Sequence, residues 1–219
     1  MADAPSCRLY LVTPPLGPAD LAAFAPRFAT ALAVGDVASA LVRFAPEALG
    51  DAKRIGERMV EAAAPYDAAI LIEGDARLAA RIGADGVHVA AVGDALVEAL
   101  ASLHPQRIVG AGGLRSRDDA MTAGEAGADY VMFGEPRRDG WTPPLADVAE
   151  RVAWWAEIFQ TPCVAYAARL DDVAALASAG ADFVALGDAL WSAPGLEIAI
   201  AEAEAAARQA AAARAEAGA

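Results

Sequence analysis

Gly83-Ala84-Asp85-Gly86-Val87-His88-Val89, Gly127-Ala128-Asp129-Tyr130-Val131-Met132-Phe133-Gly134 and Gly180-Ala181-Asp182-Phe183-Val184-Ala185-Leu186-Gly187 write one phrase three times. In each copy the glycine supplies the left-handed residue that stops a helix, the Ala-Asp pair turns the chain, and a short apolar run follows with little polar alternation. Apolar strands preceded by helices imply a parallel sheet whose outer side those helices cover. The copies begin 44 and 53 residues apart, too far for one βα unit of a small barrel and suited to two. Four such double units make a (β/α)8 barrel.

A chain of 219 residues is near the lower end of what eight βα units require. We therefore expect one α/β domain, a single (β/α)8 TIM barrel over 1–219. Strands are expected at 8–12 (closed by the turn Thr13-Pro14-Pro15), 38–44, 68–72, 86–89, 107–111, 129–133, 162–166 and 182–186. Ser116 is the expected N-cap of the helix after the fifth strand, with Asp118 and Asp119 in its first turn. The Ala-rich stretch 199–219 reads as the eighth helix with a fraying tail.

The net charge of -13 and a pI near 4.5 argue against a nucleic-acid partner, because counterion release needs clustered Lys and Arg. No apolar run approaches the roughly 20 residues that span a bilayer, and the first residues lack a basic region followed by an apolar one. The expectation is a soluble, cytoplasmic protein with no membrane partner; a homo-oligomer is left open. Cys7 and Cys163 are expected to be buried thiols. Lys53 is the sole lysine, and its place on an outer helix disfavours Schiff-base chemistry, which needs a lysine at the barrel mouth.

In such a barrel the site lies at the carboxyl ends of the strands. Arg43 ends an otherwise apolar strand where a structural residue would be Val or Ile, and its fork suits a phosphate or carboxylate. Arg115, Arg117, Arg137 and Arg138 follow strands five and six, either as further ligands or as solvated loop charges. Gly112 and Gly113 read as an anion cradle or as a tight βα connection. Glu73, Asp75 and Asp94 could hold Mg2+, although Asp75 and Asp94 are equally good N-caps. His88, between two valines, is a candidate catalytic acid-base group or a hydrogen-bonded histidine lining the core. Asp188 is either a helix cap or a carboxylate inside a phosphate cup.

The opening Leu9-Tyr10-Leu11-Val12-Thr13, Arg43, Gly83-Ala84-Asp85-Gly86-Val87-His88 and Ala128-Asp129-Tyr130-Val131-Met132-Phe133-Gly134 together resemble the thiamine phosphate synthase superfamily, whose close relative is the thiazole tautomerase. The resemblance runs from about Arg8 to Trp191. It implies a barrel that joins a pyrimidine diphosphate to a thiazole phosphate with Mg2+. The family's Gln-x-Arg-x-Lys falls on Leu41, Arg43 and Ala45, and its Asn-Asp on Glu73-Gly74. Its Gly-Gln-Glu-Asp falls on 90–94, leaving Asp94 as the second metal ligand beside Asp75. The serine after strand five becomes Gly112 or Gly113, and the tautomerase histidine falls near Leu114 or Arg115. The Thr- and Lys-bearing loop becomes 135–141, and the phosphate turns after strands seven and eight become Ala167-Ala168 and Gly187-Asp188.

The resemblance therefore implies a synthase-type transferase coupling or handling phosphorylated thiazole and pyrimidine precursors in thiamine biosynthesis. A paralogue that binds a related small anion without coupling is the alternative. Because Ala167, Ala168 and Asp188 remove close N–H access and add negative charge, a ligand is expected to be held by Arg43 with Arg115, Arg137 and Arg138. The cup at Ala168 and Gly187 is expected to contribute less.

Overall fold

Each Gly-Ala-Asp junction does two jobs in the computed structural model, which describes residues 7–137 and 139–217. Gly83, Gly127 and Gly180 take φ values of 76°, 94° and 107°, the left-handed conformation that ends a helix with no Cβ penalty. The next residues, Ala84, Ala128 and Ala181, are buried, and their N–H groups donate back to the carbonyls of Ala79, Ala123 and Leu176. The aspartates then clamp two strands together. The carboxylates of Asp85, Asp129 and Asp182 accept the backbone N–H groups of Ile70, Val109 and Cys163 at 2.7, 2.7 and 2.8 Å. Their own N–H groups donate to the carbonyls of those same three residues. Each clamp fastens the strand it opens to the strand before it, at the end of the barrel away from the mouth.

Eight parallel strands result: β1 (Arg8–Leu16), β2 (Val37–Phe44), β3 (Ala69–Glu73), β4 (Gly86–Val89), β5 (Ile108–Ala111), β6 (Tyr130–Phe133), β7 (Cys163–Ala167) and β8 (Phe183–Leu186). They pair in sequence order and β8 returns to β1, so the sheet closes. Nine α-helices among the described residues cover it: α1 (Leu21–Val34), α2 (Ala52–Ala63), α3 (Ala76–Ile82), α4 (Asp94–Leu103), α5 (Arg117–Glu125), α6 (Leu145–Ile158), α7 (Val173–Ala179), α8 (Asp188–Trp191) and α9 (Leu196–Ala217). The fold is a (β/α)8 TIM barrel. None of the helices described is long and apolar enough to cross a membrane.

Four local expectations are corrected. The run Thr13-Pro14-Pro15 is not a turn, because β1 continues through it with a register shift, pairing Pro15 with Arg43 and Leu16 with Phe44. Proline has no N–H for a regular ladder and is tolerated at such an irregularity; beside it the buried Thr13 hydroxyl accepts the Arg43 N–H at 3.0 Å. Asp94 and Asp188 are not N-caps but the first helical residues, the caps being Gly93 and Gly187. The helix expected from about Pro46 to before Pro65 begins instead as a 3-10 turn at Pro46–Asp51, with α2 following. The Ala-rich helix starts three residues earlier than expected, is preceded by α8 and runs to Ala217, with 218–219 outside the described residues. Ser116 does cap α5, accepting the Asp119 N–H while Asp119 accepts the Ser116 N–H.

Apolar side chains form two sets. Leu9, Phe28, Ile55, Val131, Trp155 and Ile200 belong to the layer between strands and helices, while Tyr10, Val12, Leu41, Leu71, Tyr130, Met132, Val164, Tyr166 and Ala185 fill the barrel. Trp191 of α8 donates its Nε1–H to the Val12 carbonyl at 2.7 Å, tying the chain's last third to its first strand. Cys7 and Cys163 are buried free thiols, and burial pushes both up to about 12.

Asp182→Ala leaves the Cys163 N–H without its acceptor at the base of the barrel. A charged hydrogen bond of this kind contributes about 1.5–3 kcal/mol, so urea unfolding should show a loss of that order. Asp67→Ala, at an exposed residue with no clamp, should change stability by less than about 0.5 kcal/mol.

Candidate active site at the barrel mouth

Strand alternation points Arg43, Glu73, His88, Gly112 and Tyr166 into the barrel near its carboxyl end, each two residues beyond an inward Leu41, Leu71, Gly86, Gly110 or Val164. Glu73 pairs in register with His88, and His88 with Gly110. The interior is not wholly apolar. The Tyr10 and Tyr130 hydroxyls lie 2.9 Å apart, the Tyr130 hydroxyl is 2.8 Å from His88 Nδ1, and His88 Nε2 is 2.9 Å from Glu135 Oε1. Glu135 Oε2 accepts the Gly113 N–H at 2.7 Å.

Hydrogen-bond counting orients this chain. If His88 Nε2–H donates to Glu135, then Nδ1 accepts from the Tyr130 hydroxyl, which accepts from Tyr10, and every member is satisfied. Burial holds both phenols above their ordinary value of 10.0, so each keeps its proton. His88 is fully buried and Glu135 is 18% exposed, so the carboxylate is the end of the chain that a ligand can meet. Burial pushes the Glu135 carboxyl up, yet the net displacement is downward from 4.5, because His88, the Gly113 N–H and the Arg43 charge all favour the anion.

Glycine is dictated twice beside this chain. A Cβ at Gly110 would overlap the Tyr130 ring, and one at Gly112 would overlap both the Glu135 carboxylate and the His88 ring. The Glu135 side chain thus fills space that a side chain at 112 would otherwise use.

Arg43 is half-buried and makes no ion pair among the described residues. Its charge bears on both Glu135 and Tyr166, which sets it among them at the mouth. Arg115 is exposed on the loop after β5, and Arg137 stacks over Trp141 with its guanidinium 4.1 Å from the ring centroid. Arg138 lies outside the described residues. Arg117 is turned away, pairing with Glu150 at 2.9 Å.

Several expected roles need correction. The N–H groups of Gly112 and Gly113 are engaged by the Val89 carbonyl and the Glu135 carboxylate, so they do not form an open anion cradle. His88 has both ring nitrogens engaged and no exposed surface, so it reaches a ligand through Glu135. At the cup after β7 and β8, Ala168 is exposed, but Gly187 is buried and the Tyr166 hydroxyl occupies the space a Cβ there would take. Burial raises Tyr166, as does the Asp188 charge, while the Arg43 charge opposes them.

Asp75 caps α3, its Oδ1 accepting the Leu78 N–H at 2.8 Å, and Asp94 is exposed in the first turn of α4. Among the described residues no three His, Cys, Asp or Glu side chains converge, so they do not fit a protein-held Mg2+ cage. An ion that keeps its waters and is held mostly by substrate phosphates needs one or two carboxylates. Asp75 keeps one oxygen free of its cap and Asp94 is exposed, which is the chemistry such a role asks for.

Because the anion of Glu135 is favoured in the folded protein, its contribution is present above its ordinary value of 4.5 and is lost as pH falls through the lower folded value. The stability gap between the wild type and Glu135→Gln should therefore be widest near neutrality and close in acid. Urea titrations at pH 7 and pH 3 check this; a gap that widens on acidification contradicts it.

Comparison with known proteins identifies the family and the fold. The family model described as thiamine monophosphate synthase matches residues 9–190. The thiamine-phosphate synthase of Rhodospirillum centenum is 40% identical over 193 residues, covering 86% of this chain and 91% of that protein. That of Hyphomonas neptunium is 35% identical over 198 residues, covering 86% and 87%. Among solved structures, thiamine phosphate pyrophosphorylase from Pyrococcus furiosus superposes with a TM-score of 0.74 at 23% identity, covering 93% of this chain and 96% of that one. A 3-hexulose-6-phosphate synthase superposes at 0.71 and 20% identity, covering 90% and 99%; at these identities the two structures speak to the fold. A match over most of the barrel, including the strands that carry Arg43 and His88, places this chain in the thiamine monophosphate synthase family.

Proposed function

We propose that the chain couples a pyrimidine diphosphate to a thiazole phosphate, releasing pyrophosphate, as its resemblance to the family implies. Arg43 carries the reading: a half-buried cation with no ion pair among the described residues stands at the carboxyl end of β2, where the family's arginine falls. It would hold a phosphate or diphosphate by its fork. Arg115 and Arg137, with Arg138 beside it in sequence, would bring further positive charge from the loops after β5 and β6. The Ala168 and Gly187 turns would contribute less, since Tyr166 covers the second. Mg2+ bound to the diphosphate would neutralise charge developing on the leaving group, with Asp94 and the free oxygen of Asp75 facing its water shell.

Binding without coupling is the second reading, and Ala45 favours it. The residue is buried where the family has lysine, and Gly112 stands where the family has serine, so two oriented polar groups are missing. Loss of one such group costs about 10²-fold or more.

Incubation with Mg2+ and both family substrates, assayed for thiamine phosphate, tests the proposal. We expect product at a rate at least about 10²-fold below that of ordinary family members, abolished by EDTA. Arg43→Ala should weaken ligand binding by about 1.5–3 kcal/mol with an unchanged melting temperature. Ligand binding with no product supports the second reading. An ordinary family rate contradicts the weight given to Ala45 and Gly112.

A further inference from the structure

Glu135 is the one member of the buried polar chain that faces outward, and the barrel is built around it. His88 fastens Oε1 at 2.9 Å and the Gly113 N–H fastens Oε2 at 2.7 Å, while the missing side chain at Gly112 makes room for the carboxylate. A carboxylate offers about four acceptor sites on its two oxygens. Two are engaged here, which leaves one on each oxygen, and the side chain is 18% exposed. A carboxylate needed solely to satisfy His88 could have been fully enclosed.

The mouth thus has a carboxylate at Glu135, just past β6, and a guanidinium at Arg43 on β2, with the exposed Glu73 on β3 beside Arg43. Of the groups facing Glu135, His88 and Gly113 are donors, Tyr130 stands behind His88, and Arg43 supplies the opposing charge. A ligand that meets both Arg43 and Glu135 carries an anion at one end and N–H donors at the other.

We infer that Glu135 is a substrate-orienting, specificity-determining residue: its carboxylate accepts the N–H donors of an amino-substituted nitrogen heterocycle, while Arg43 takes the anionic end. The inference deepens the coupling reading above and rests on it for placing the heterocycle in a pyrimidine. It assigns the glutamate and Gly112 to one device, the small residue making room for the carboxylate. Rings without an exocyclic amine leave the carboxylate desolvated and unmatched, so the site discriminates against them.

Ligand-observed NMR titration of the full chain with 4-aminopyrimidine and with unsubstituted pyrimidine tests this. The wild type should bind the amino compound roughly tenfold or more tightly, the range for a charged hydrogen bond. In Glu135→Gln the preference should fall below about threefold. Should that variant fail to fold, Glu135→Asp keeps the charge but withdraws it from the mouth, and should lower the preference likewise. Equal affinity of the wild type for both rings, failure to bind either, or a preference kept in a folded variant overturns the inference. The two readings fail separately. Glu135-dependent aminopyrimidine binding without thiamine phosphate formation sinks the coupling reading alone, whereas coupling with unaltered Glu135→Gln kinetics sinks this one alone.

Discussion

A dry barrel interior cannot leave a hydroxyl or an imidazole nitrogen without a partner, and this constraint shapes the site. Tyr10, Tyr130 and His88 are almost wholly buried, and an unmatched polar group at such depth costs several kcal/mol. The solution is a chain that runs one way, phenol to phenol to imidazole, and ends on a carboxylate at the mouth that also accepts a backbone N–H. The neighbouring glycines follow from it. Gly110 yields to the Tyr130 ring and Gly112 to the carboxylate and imidazole, and Gly113, at φ 66°, turns its N–H to Glu135.

Interior chemistry and strand register are separate problems solved at opposite ends of the barrel. The aspartate clamps fix β3 to β4, β5 to β6 and β7 to β8 without help from any inward side chain. With the register fixed, Tyr130 on β6 meets His88 on β4 across Gly110 on β5. A slip of one residue would turn these side chains to the outer layer. The β1–β2 pair lacks the full clamp: the Leu9 N–H donates to the Asp36 carbonyl, but the Asp36 carboxylate pairs with Arg8 at 2.7 Å. Here the continued β1 and the Thr13 bond to Arg43 supply further pairing.

Much of the fold could be read from the chain because its signals are local. The three Gly-Ala-Asp phrases mark helix end and strand start, and Ser116 marks a helix start; the clamps give a physical reason for the repeated aspartate. The continuation of β1 through Pro14 and Pro15 was hidden, since two prolines read as a turn and the Thr13 contact that sustains the strand spans 30 residues. At the site, Arg43 stood out as a charge closing an apolar strand. Glu135 did not, for it sits two residues past a strand in a loop of mixed charges, and its partners lie 22 and 47 residues away. Strand phase alone put Tyr10, Tyr130 and His88 on the inner face, and that was the available signal. Asp75 and Asp94 read equally well as caps and as ligands, because a carboxylate at a helix start serves either purpose.

The claim that everything at the mouth follows from one directed hydrogen-bond chain is tested most directly by the tautomer of His88. With two histidines in the sequence, a His104→Gln variant labelled with 15N at the imidazole leaves one ring to observe. The account predicts a protonated Nε2, coupled to the Glu135 carboxylate, and a bare Nδ1 accepting from Tyr130. A ring protonated at Nδ1 with Nε2 bare would reverse the chain, place a lone pair against the carboxylate and contradict the account.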